Sequence, residues 1–172
     1  MFEHRGIKSK LNFSQAVKCN FIKIIDFLFE EYKVCQIDGE IKLLSNGNPS
    51  CSPPYIYVAP TGGCLSNYYQ LSFQLSHELT HLIQYHQKRG LPFCYELDTN
   101  GNCTQKPFPN HSCQETEAIA NSVDLCENVL KLEGYNVRGR ENPDYYDYDE
   151  AFKLVDTGTL QAMRQKYNTY QS

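Results

Sequence analysis

Apolar residues recur at helical spacing in four segments of the chain, and each segment predicts a helix. The segments cover residues 14–33, 66–89, 114–133 and 149–166, and a break in the last one is expected at Thr157-Gly158. The expected N-caps and helix stops are Ser14, Ser66, Gly90 and Gly134. The chain is therefore expected to be rich in helix from end to end.

A small sheet is predicted between the first two helices. Asp38-Gly39 separates two apolar stretches within residues 34–44, which indicates a β-hairpin. Residues 55–59 are aromatic and β-branched and lie between prolines, which is typical of a short strand. Residues 90–113 contain several turn formers and predict a long irregular loop. Helices and strands together predict the α+β class.

Length and composition narrow the class of protein. A chain of 172 residues matches one domain, here residues 1–172. The formal net charge is -4 and no long basic run occurs, so no nucleic-acid partner is expected. Aromatic residues make up 13% of the chain, which argues against disorder. We therefore expect one globular, mildly acidic domain.

The first apolar run and the cysteines bear on the compartment. Residues 21–29 are interrupted by Lys23 and Asp26 and are too short to cross a bilayer, so we expect no signal peptide and no membrane partner. An even number of cysteines suits disulfides, although it equally suits reduced thiols. Three of the eight fall at residues 90–113, which favours disulfides in that loop and a secreted or extracytoplasmic protein. The eight are Cys19, Cys35, Cys51, Cys64, Cys94, Cys103, Cys113 and Cys126.

The second predicted helix carries the pattern His-Glu-x-x-His at His77, Glu78 and His81. Histidines four residues apart project from one helix face, and both imidazoles can bind one Zn²⁺ at about 2.0–2.1 Å. Glu78 lies about 100° further around the helix. From there it can take a proton from zinc-bound water that attacks a carbonyl. The pattern predicts two zinc ligands and a catalytic base.

A catalytic zinc ion needs a third protein ligand. Gln84 and Gln87 stand where a metzincin would have glycine and its third histidine, so that type of site is absent. The next predicted helix offers two carboxylates. Glu117 is the expected ligand, with small residues beside it that allow two helices to approach closely. Glu115 is the competing candidate, and spacing alone does not decide between them.

Two polar residues beyond Glu117 have an expected role beside the metal. Asn121 and Asp124 follow it at i+4 and i+7, so the three side chains form one stripe on the helix. Either one can accept the second N–H of a zinc-bound histidine, which would hold the ring in place. His86 lies on a different part of its helix and is not expected to bind the metal.

The segments HELTH and EAIAN, on successive predicted helices, resemble the gluzincin branch of zinc metallopeptidases, typified by thermolysin-like enzymes. The resemblance covers residues 77–121, about a quarter of the chain. It implies two histidine ligands in HELTH, a base at Glu78 and a third ligand at Glu117. Asn121 stands where the family has an aspartate. The implied fold is a minimal, single-domain zincin.

The resemblance also implies how a substrate binds. A zincin has a sheet beside the active-site helix, and its edge strand pairs with the substrate backbone; residues 55–59 fit that role, and equally fit an ordinary core strand. A further Tyr, His or Arg is implied opposite Glu78, where it would stabilise the oxyanion. The candidates for this role are His111, Arg138, Arg140, Tyr145, Tyr146 and Tyr148.

These residues predict a zinc-dependent endopeptidase that acts on peptides or proteins. The alternative is a weakly active or inactive zincin-like module that binds zinc and acts through a partner. A third interpretation is a small disulfide-rich binding protein in which His-Glu-x-x-His occurs by chance. The intact glutamate of the motif favours the peptidase, because a binding module does not need that base.

Overall fold

A computed structural model describes most of the chain, and helices and a mixed sheet occur together in it, so the predicted α+β class is confirmed. The residues described are 1–45, 47–87, 93–97, 103–107, 113–133, 138 and 148–168, of which 93–97, 103–107, 113 and 168 are described by backbone alone. Within these ranges no helix has the length and apolar character needed to cross a membrane.

Two long helices occupy the first half of the chain. Helix α1 spans Gln15–Glu31, and the Ser14 hydroxyl accepts a hydrogen bond from its first turn, as expected of the cap. Helix α2 spans Tyr68–His86. Its cap is Asn67 rather than Ser66, so it begins slightly later than the spacing predicts. Both helices otherwise follow the apolar periodicity.

Three shorter helices follow in the described part of the second half. Helix α3 spans Cys113–Asp124 and continues directly into a wider, π-helical turn at Leu125–Val129. Helices α4 and α5 span Tyr148–Asp156 and Thr159–Asn168. The predicted break between them is confirmed, because Gly158 has a φ of 77°, a left-handed conformation that glycine adopts without strain.

Five short strands form the main sheet, in the order β1-β2-β3-β5-β4. Their bounds are Phe2–His4 for β1, Ile7–Ser9 for β2, Gly39–Leu43 for β3, Ser50–Ser52 for β4 and Tyr55–Val58 for β5. Strand β3 runs parallel to both β2 and β5, and the two outer pairs are antiparallel. The hairpin β1–β2 was not among the predicted elements.

The hairpin predicted at Asp38-Gly39 is wrong. Gly39 begins strand β3, which pairs with the earlier strand β2 and not with residues just before it. A Cβ atom at Gly39 would lie 3.0 Å from side-chain atoms of both Ile7 and Leu82. The glycine therefore permits close packing of the sheet on helix α2, and it does not form a turn.

The predicted strand at residues 55–59 is present as β5, but it lies inside the sheet. It pairs in parallel with β3 on one side and antiparallel with β4 on the other. The expectation that it offers a free edge to substrate is therefore wrong. Among the described strands of the main sheet, β1 and β4 are the edges, and β4 is the edge that contacts helix α2.

Helix α2 lies at the centre of the molecule, between α1, α3 and the sheet. Its leucines join a large apolar cluster with α1 and the sheet. On the side that meets α3, its buried residues are polar, including Thr80 and Gln84. The motif at residues 77–81 thus lies on a helix fixed from several directions.

The segment predicted as an irregular loop contains a second, two-stranded sheet. Strand β6 spans Phe93–Leu97 and pairs antiparallel with β7, which spans Cys103–Pro107. The turn-forming residues of this segment had favoured a loop over strands. The rest of residues 90–112 lies outside the described ranges.

Four cysteines of the described residues carry free thiols, so the eight cysteines do not all pair in disulfides. They are Cys19, Cys35, Cys51 and Cys64. The side chains of Cys94, Cys103 and Cys113 lie outside the described residues. A disulfide in the 90–113 segment therefore stays a prediction.

Candidate metal centre

One turn of helix α2 brings the imidazoles of His77 and His81 together. Their Nε2 atoms are 3.2 Å apart, and the two rings are nearly perpendicular with their centres 4.8 Å apart. The potential ligand atoms of His77, Glu78 and His81 all lie within 4.8 Å of one another. The i, i+4 spacing therefore has the geometric result expected of it.

A carboxylate from helix α3 reaches the same point. Glu115 Oε2 lies 3.1 Å from His77 Nε2, and Glu115 Oε1 lies 2.8 Å from His81 Nε2. Glu115 is in the first turn of α3, where the helix dipole also favours an acidic side chain. Glu115, the competing candidate for third ligand, is thus the carboxylate of α3 that contacts both histidines.

Glu117, the expected third ligand, has other partners. Its Oε2 accepts a hydrogen bond from the Tyr32 hydroxyl, and its Oε1 accepts one at 3.3 Å from Gln84 Nε2. Glu115 and Glu117 leave α3 about 200° apart, and this separation sends their carboxylates to different partners. The described contacts therefore favour Glu115 over Glu117 as the third ligand.

The three converging groups suit a tetrahedral zinc ion. Ligand atoms at bond lengths of 2.0–2.1 Å in a tetrahedron are about 3.3 Å apart, close to the separations described for His77, His81 and Glu115. Two imidazoles and one carboxylate form a ligand set used by zinc peptidases. The Glu115 side chain is 32% exposed, so the site is open to solvent on that side.

Glu78 lies beside this site and is almost fully buried. Its Oε1 is 3.8 Å from His77 Nε2, and its Oε2 has no hydrogen-bond partner among the described residues. Burial raises the pKa of the Glu78 carboxyl above its ordinary value. A buried carboxylate oxygen without a partner fits a group that meets a water molecule beside the metal.

Charge couples His81 to Glu115. Burial acts to lower the pKa of His81, but the hydrogen bond and the charge of Glu115 outweigh it and raise that pKa to about 9. Burial likewise acts to raise the pKa of Glu115, and hydrogen bonds with His77 and His81 reverse this and hold it well below its usual range. The metal-free site is therefore an ion pair at neutral pH.

The second nitrogen of His81 is held by Gln84, a residue that we did not predict for this role. His81 Nδ1 lies 2.9 Å from Gln84 Oε1. Asn121, expected in this role, uses its amide on Tyr32, Thr80 and Arg164 instead. A signal for Gln84 was present, because residues three apart on a helix are neighbours.

A buried polar network extends from Glu117 towards helix α5. The Tyr32 hydroxyl donates to Glu117 and accepts at 2.9 Å from Asn121 Nδ2. Asn121 Oδ1 in turn accepts from Arg164 at 2.9 and 2.6 Å. Arg164 also donates to Asp124 at 2.8 Å. Its side chain is only 2% exposed, so the charge of this arginine is buried. The three residues of the stripe predicted on α3 therefore belong to one buried hydrogen-bond network, which reaches the site through Glu117 and Gln84.

No protein-family model, curated protein or solved structure matches the chain. The gluzincin resemblance therefore stays a prediction. The arguments for function come from the chemistry of the site itself.

Two of the six oxyanion candidates lie in the described ranges. Arg138 donates to both Glu127 and Asp156, and its guanidinium lies 4.7 Å from the centre of the Phe152 ring. Tyr148 stacks on the same ring. The candidates outside the described residues are His111, Arg140, Tyr145 and Tyr146.

Proposed function

We propose that the protein is a zinc-dependent metallopeptidase that hydrolyses peptide bonds in peptides or proteins. His77, His81 and Glu115 would bind Zn²⁺, and Glu78 would be the catalytic base. The observation that carries the proposal is the convergence of two Nε2 atoms and one carboxylate beside the buried, unpartnered Oε2 of Glu78.

A bound zinc ion supplies Lewis acidity, which polarises a scissile carbonyl and makes water more acidic. Glu78 takes the proton of the attacking water and later passes it to the departing amine. The raised pKa of Glu78 suits both steps, because a base with a pKa closer to neutrality also returns the proton readily. Its burial keeps competing water away from the carboxylate.

The edge strand β4 supports a peptide as the substrate class. It pairs with β5 on one side only among the described strands, and it contacts helix α2. Burial, joined by the negative charge of Glu78, raises the pKa of the Cys51 thiol in β4 to about 12. Strand β4 therefore contacts the helix that carries the base. An extended peptide that pairs with this edge would have its backbone near the metal site.

Metal analysis and a peptide-library digest test the proposal together. The wild-type protein should hold one zinc ion per chain and cleave a peptide library, as read by mass spectrometry, until a chelator is added. His77→Ala should lose the zinc. His86→Ala is the matched control, because His86 is exposed at the end of α2 and should leave the zinc content unchanged.

Glu78→Gln separates the peptidase from the zinc-binding module. The variant should keep its zinc and lose activity by about 10²–10⁴-fold, since it removes the base and no metal ligand. A wild type that holds zinc but cleaves nothing would favour the partner-binding alternative. A wild type without zinc would mean that the motif occurs by chance.

A further inference from the structure

The amide of Gln84 joins a metal ligand to the carboxylate behind it. Gln84 Nε2 donates to the backbone oxygen of Gln114 at 3.1 Å and to Glu117 Oε1 at 3.3 Å. Its Oε1 lies 2.9 Å from His81 Nδ1. Gln84 is 2% exposed and Glu117 is 1% exposed, so water does not compete for these contacts.

The partners of this amide fix which way round it lies. A backbone carbonyl and a carboxylate can only accept hydrogen bonds, so the amide nitrogen must face Gln114 and Glu117. The amide oxygen must then face His81. Because that oxygen can only accept, His81 Nδ1 must carry the hydrogen, and a neutral ring then has its lone pair on Nε2. This is the nitrogen directed at His77 and Glu115.

Glu117 is itself held in position from the other side. The Tyr32 hydroxyl donates to it, and Asn121 donates to that hydroxyl. Tyr32 lies in the turn that ends α1, whereas Glu117 and Asn121 lie on α3. The carboxylate therefore has a fixed orientation before it meets Gln84 on α2.

We propose that Gln84 and Glu117 act as a positioning pair that holds His81 in the tautomer and orientation needed to bind the metal. The inference rests on the proposed function, and it assigns Glu117 a role other than that of metal ligand. Two neighbouring carboxylates would then have different roles. Glu115 would bind the metal, and Glu117 would orient the residue that orients His81.

Zinc affinity, measured by competition with a chromophoric chelator, tests the role of Gln84. Gln84→Leu should weaken zinc binding by about 10–100-fold, the usual cost of losing such an outer contact. Gln74→Leu is the matched control. Gln74 is also a buried glutamine of α2, but it bonds the backbone of Ala59 instead of a histidine. The Gln74→Leu variant should be less stable than the wild type and keep its zinc affinity.

A reversed pair tests whether the two side chains act together and also covers a failure of Gln84→Leu to fold. Gln84→Glu alone sets two carboxylates against each other and should weaken zinc binding. Adding Glu117→Gln restores a donor facing an acceptor, since the new amide on α3 can donate to the new carboxylate on α2 while still accepting from Tyr32. The double variant should therefore bind zinc more tightly than Gln84→Glu alone.

The visible spectrum of the Co²⁺-substituted protein separates a ligand from a positioning residue. Glu117→Gln should keep the spectrum of a four-coordinate site and lose affinity only moderately, whereas Glu115→Gln should change the spectrum or lose the metal. A changed spectrum in Glu117→Gln would overturn the inference, because it would make Glu117 a ligand. Unchanged zinc affinity in Gln84→Leu, or equal losses in Gln84→Leu and Gln74→Leu, would also overturn it.

The two proposals fail in different ways. If the wild type binds zinc but cleaves no peptide, the proposed function fails, and the affinity series still decides the role of Gln84. If the wild type cleaves peptides and Gln84→Leu binds zinc normally, the positioning role alone fails. If the wild type binds no zinc, both are overturned.

Discussion

The two sides of helix α2 are buried to a similar degree but are built from opposite chemistry. Leu75, Leu79 and Leu82 join an apolar cluster with α1 and the sheet. The side that meets α3 carries Thr80 and Gln84, which hydrogen-bond to residues of α3. The apolar side stabilises the fold by removing apolar area from water, and this effect has no preferred direction. The polar side adds little net stability but fixes how α3 is oriented against α2, because each buried donor must meet an acceptor.

Truncation on the apolar side should have the largest effect on stability. Leu75 is fully buried, so Leu75→Ala should lower the free energy of unfolding by about 2–5 kcal/mol through lost burial and a cavity. Urea denaturation measures this change. Zinc affinity of the folded variant should stay at the wild-type value. A parallel loss of zinc affinity would show that the two sides are not independent.

Removal of Asn121 on α3 tests the hydrogen bonds made to the polar side of α2 and to the network behind it. Asn121→Ala removes one hydrogen-bond partner from each of Arg164, Tyr32 and Thr80, so the free energy of unfolding should fall by about 1–3 kcal/mol. Asn128→Ala is the matched control. Asn128 is exposed and bonds Asp124 on the surface, so its loss should stay within about 0.5 kcal/mol. Equal losses in the two variants would remove the distinction between buried and exposed polar contacts.

A single hydroxyl on the polar side should matter less. Thr80 donates to the backbone oxygen of Ser76 at 2.7 Å and accepts from Asn121 at 3.1 Å. Thr80→Val keeps the shape and removes both bonds, so the free energy of unfolding should fall by about 0.5–1.5 kcal/mol. Thermal and urea unfolding both report it. An increase in stability would mean that an apolar group suits this position equally well.

The pH dependence of the metal-free protein should show the smallest effect, because solvent reaches Glu115. The folded pKa of His81, about 9, lies above its ordinary 6.5. The resulting stabilisation is fully present below pH 6.5 and is lost as the pH rises towards and through 9. Stability measured by urea denaturation in a chelator should therefore decline between pH 6.5 and 9. Zinc-loaded protein should not show this decline, since the metal takes the place of the proton.

Glu115→Gln is the control for that titration. Without the Glu115 charge, burial lowers the pKa of His81 and is opposed only by the charge of Glu78 and the hydrogen bond with Gln84. The decline in stability between pH 6.5 and 9 should therefore become much smaller in this variant. If it persists, another group is responsible for it, and the pairing of His81 with Glu115 does not control the charge of the metal-free site.

Local spacing was enough to predict part of the site. His77 and His81 converge because four residues bring a helix back to the same face, and no long-range contact is needed. The choice between Glu115 and Glu117 depends instead on how α3 is rotated against α2. That rotation is set by Tyr32, Asn121 and other contacts that are distant in the sequence. A pattern within one helix therefore could not decide it.

The fold shows the same division. Helices α1 and α2 followed from apolar periodicity, and the break at Gly158 from the conformational freedom of glycine. The parallel pairing of β3 with β2 and β5 was not predictable, because it joins segments separated by a whole helix or a loop. Gly39 resembled a turn residue, and only its neighbours Ile7 and Leu82 reveal that it is needed for close packing.

The position of Arg164 along the chain has a consequence for the order of assembly. During synthesis every residue of the candidate metal site leaves the ribosome before Arg164, the cation whose guanidinium bonds Asn121 and Asp124. A nascent chain that stops short of α5 has both histidines and Glu115 but lacks Arg164, which bonds the network behind them. The proposed metal ligands are therefore synthesised before the residue that completes the hydrogen-bond network behind them.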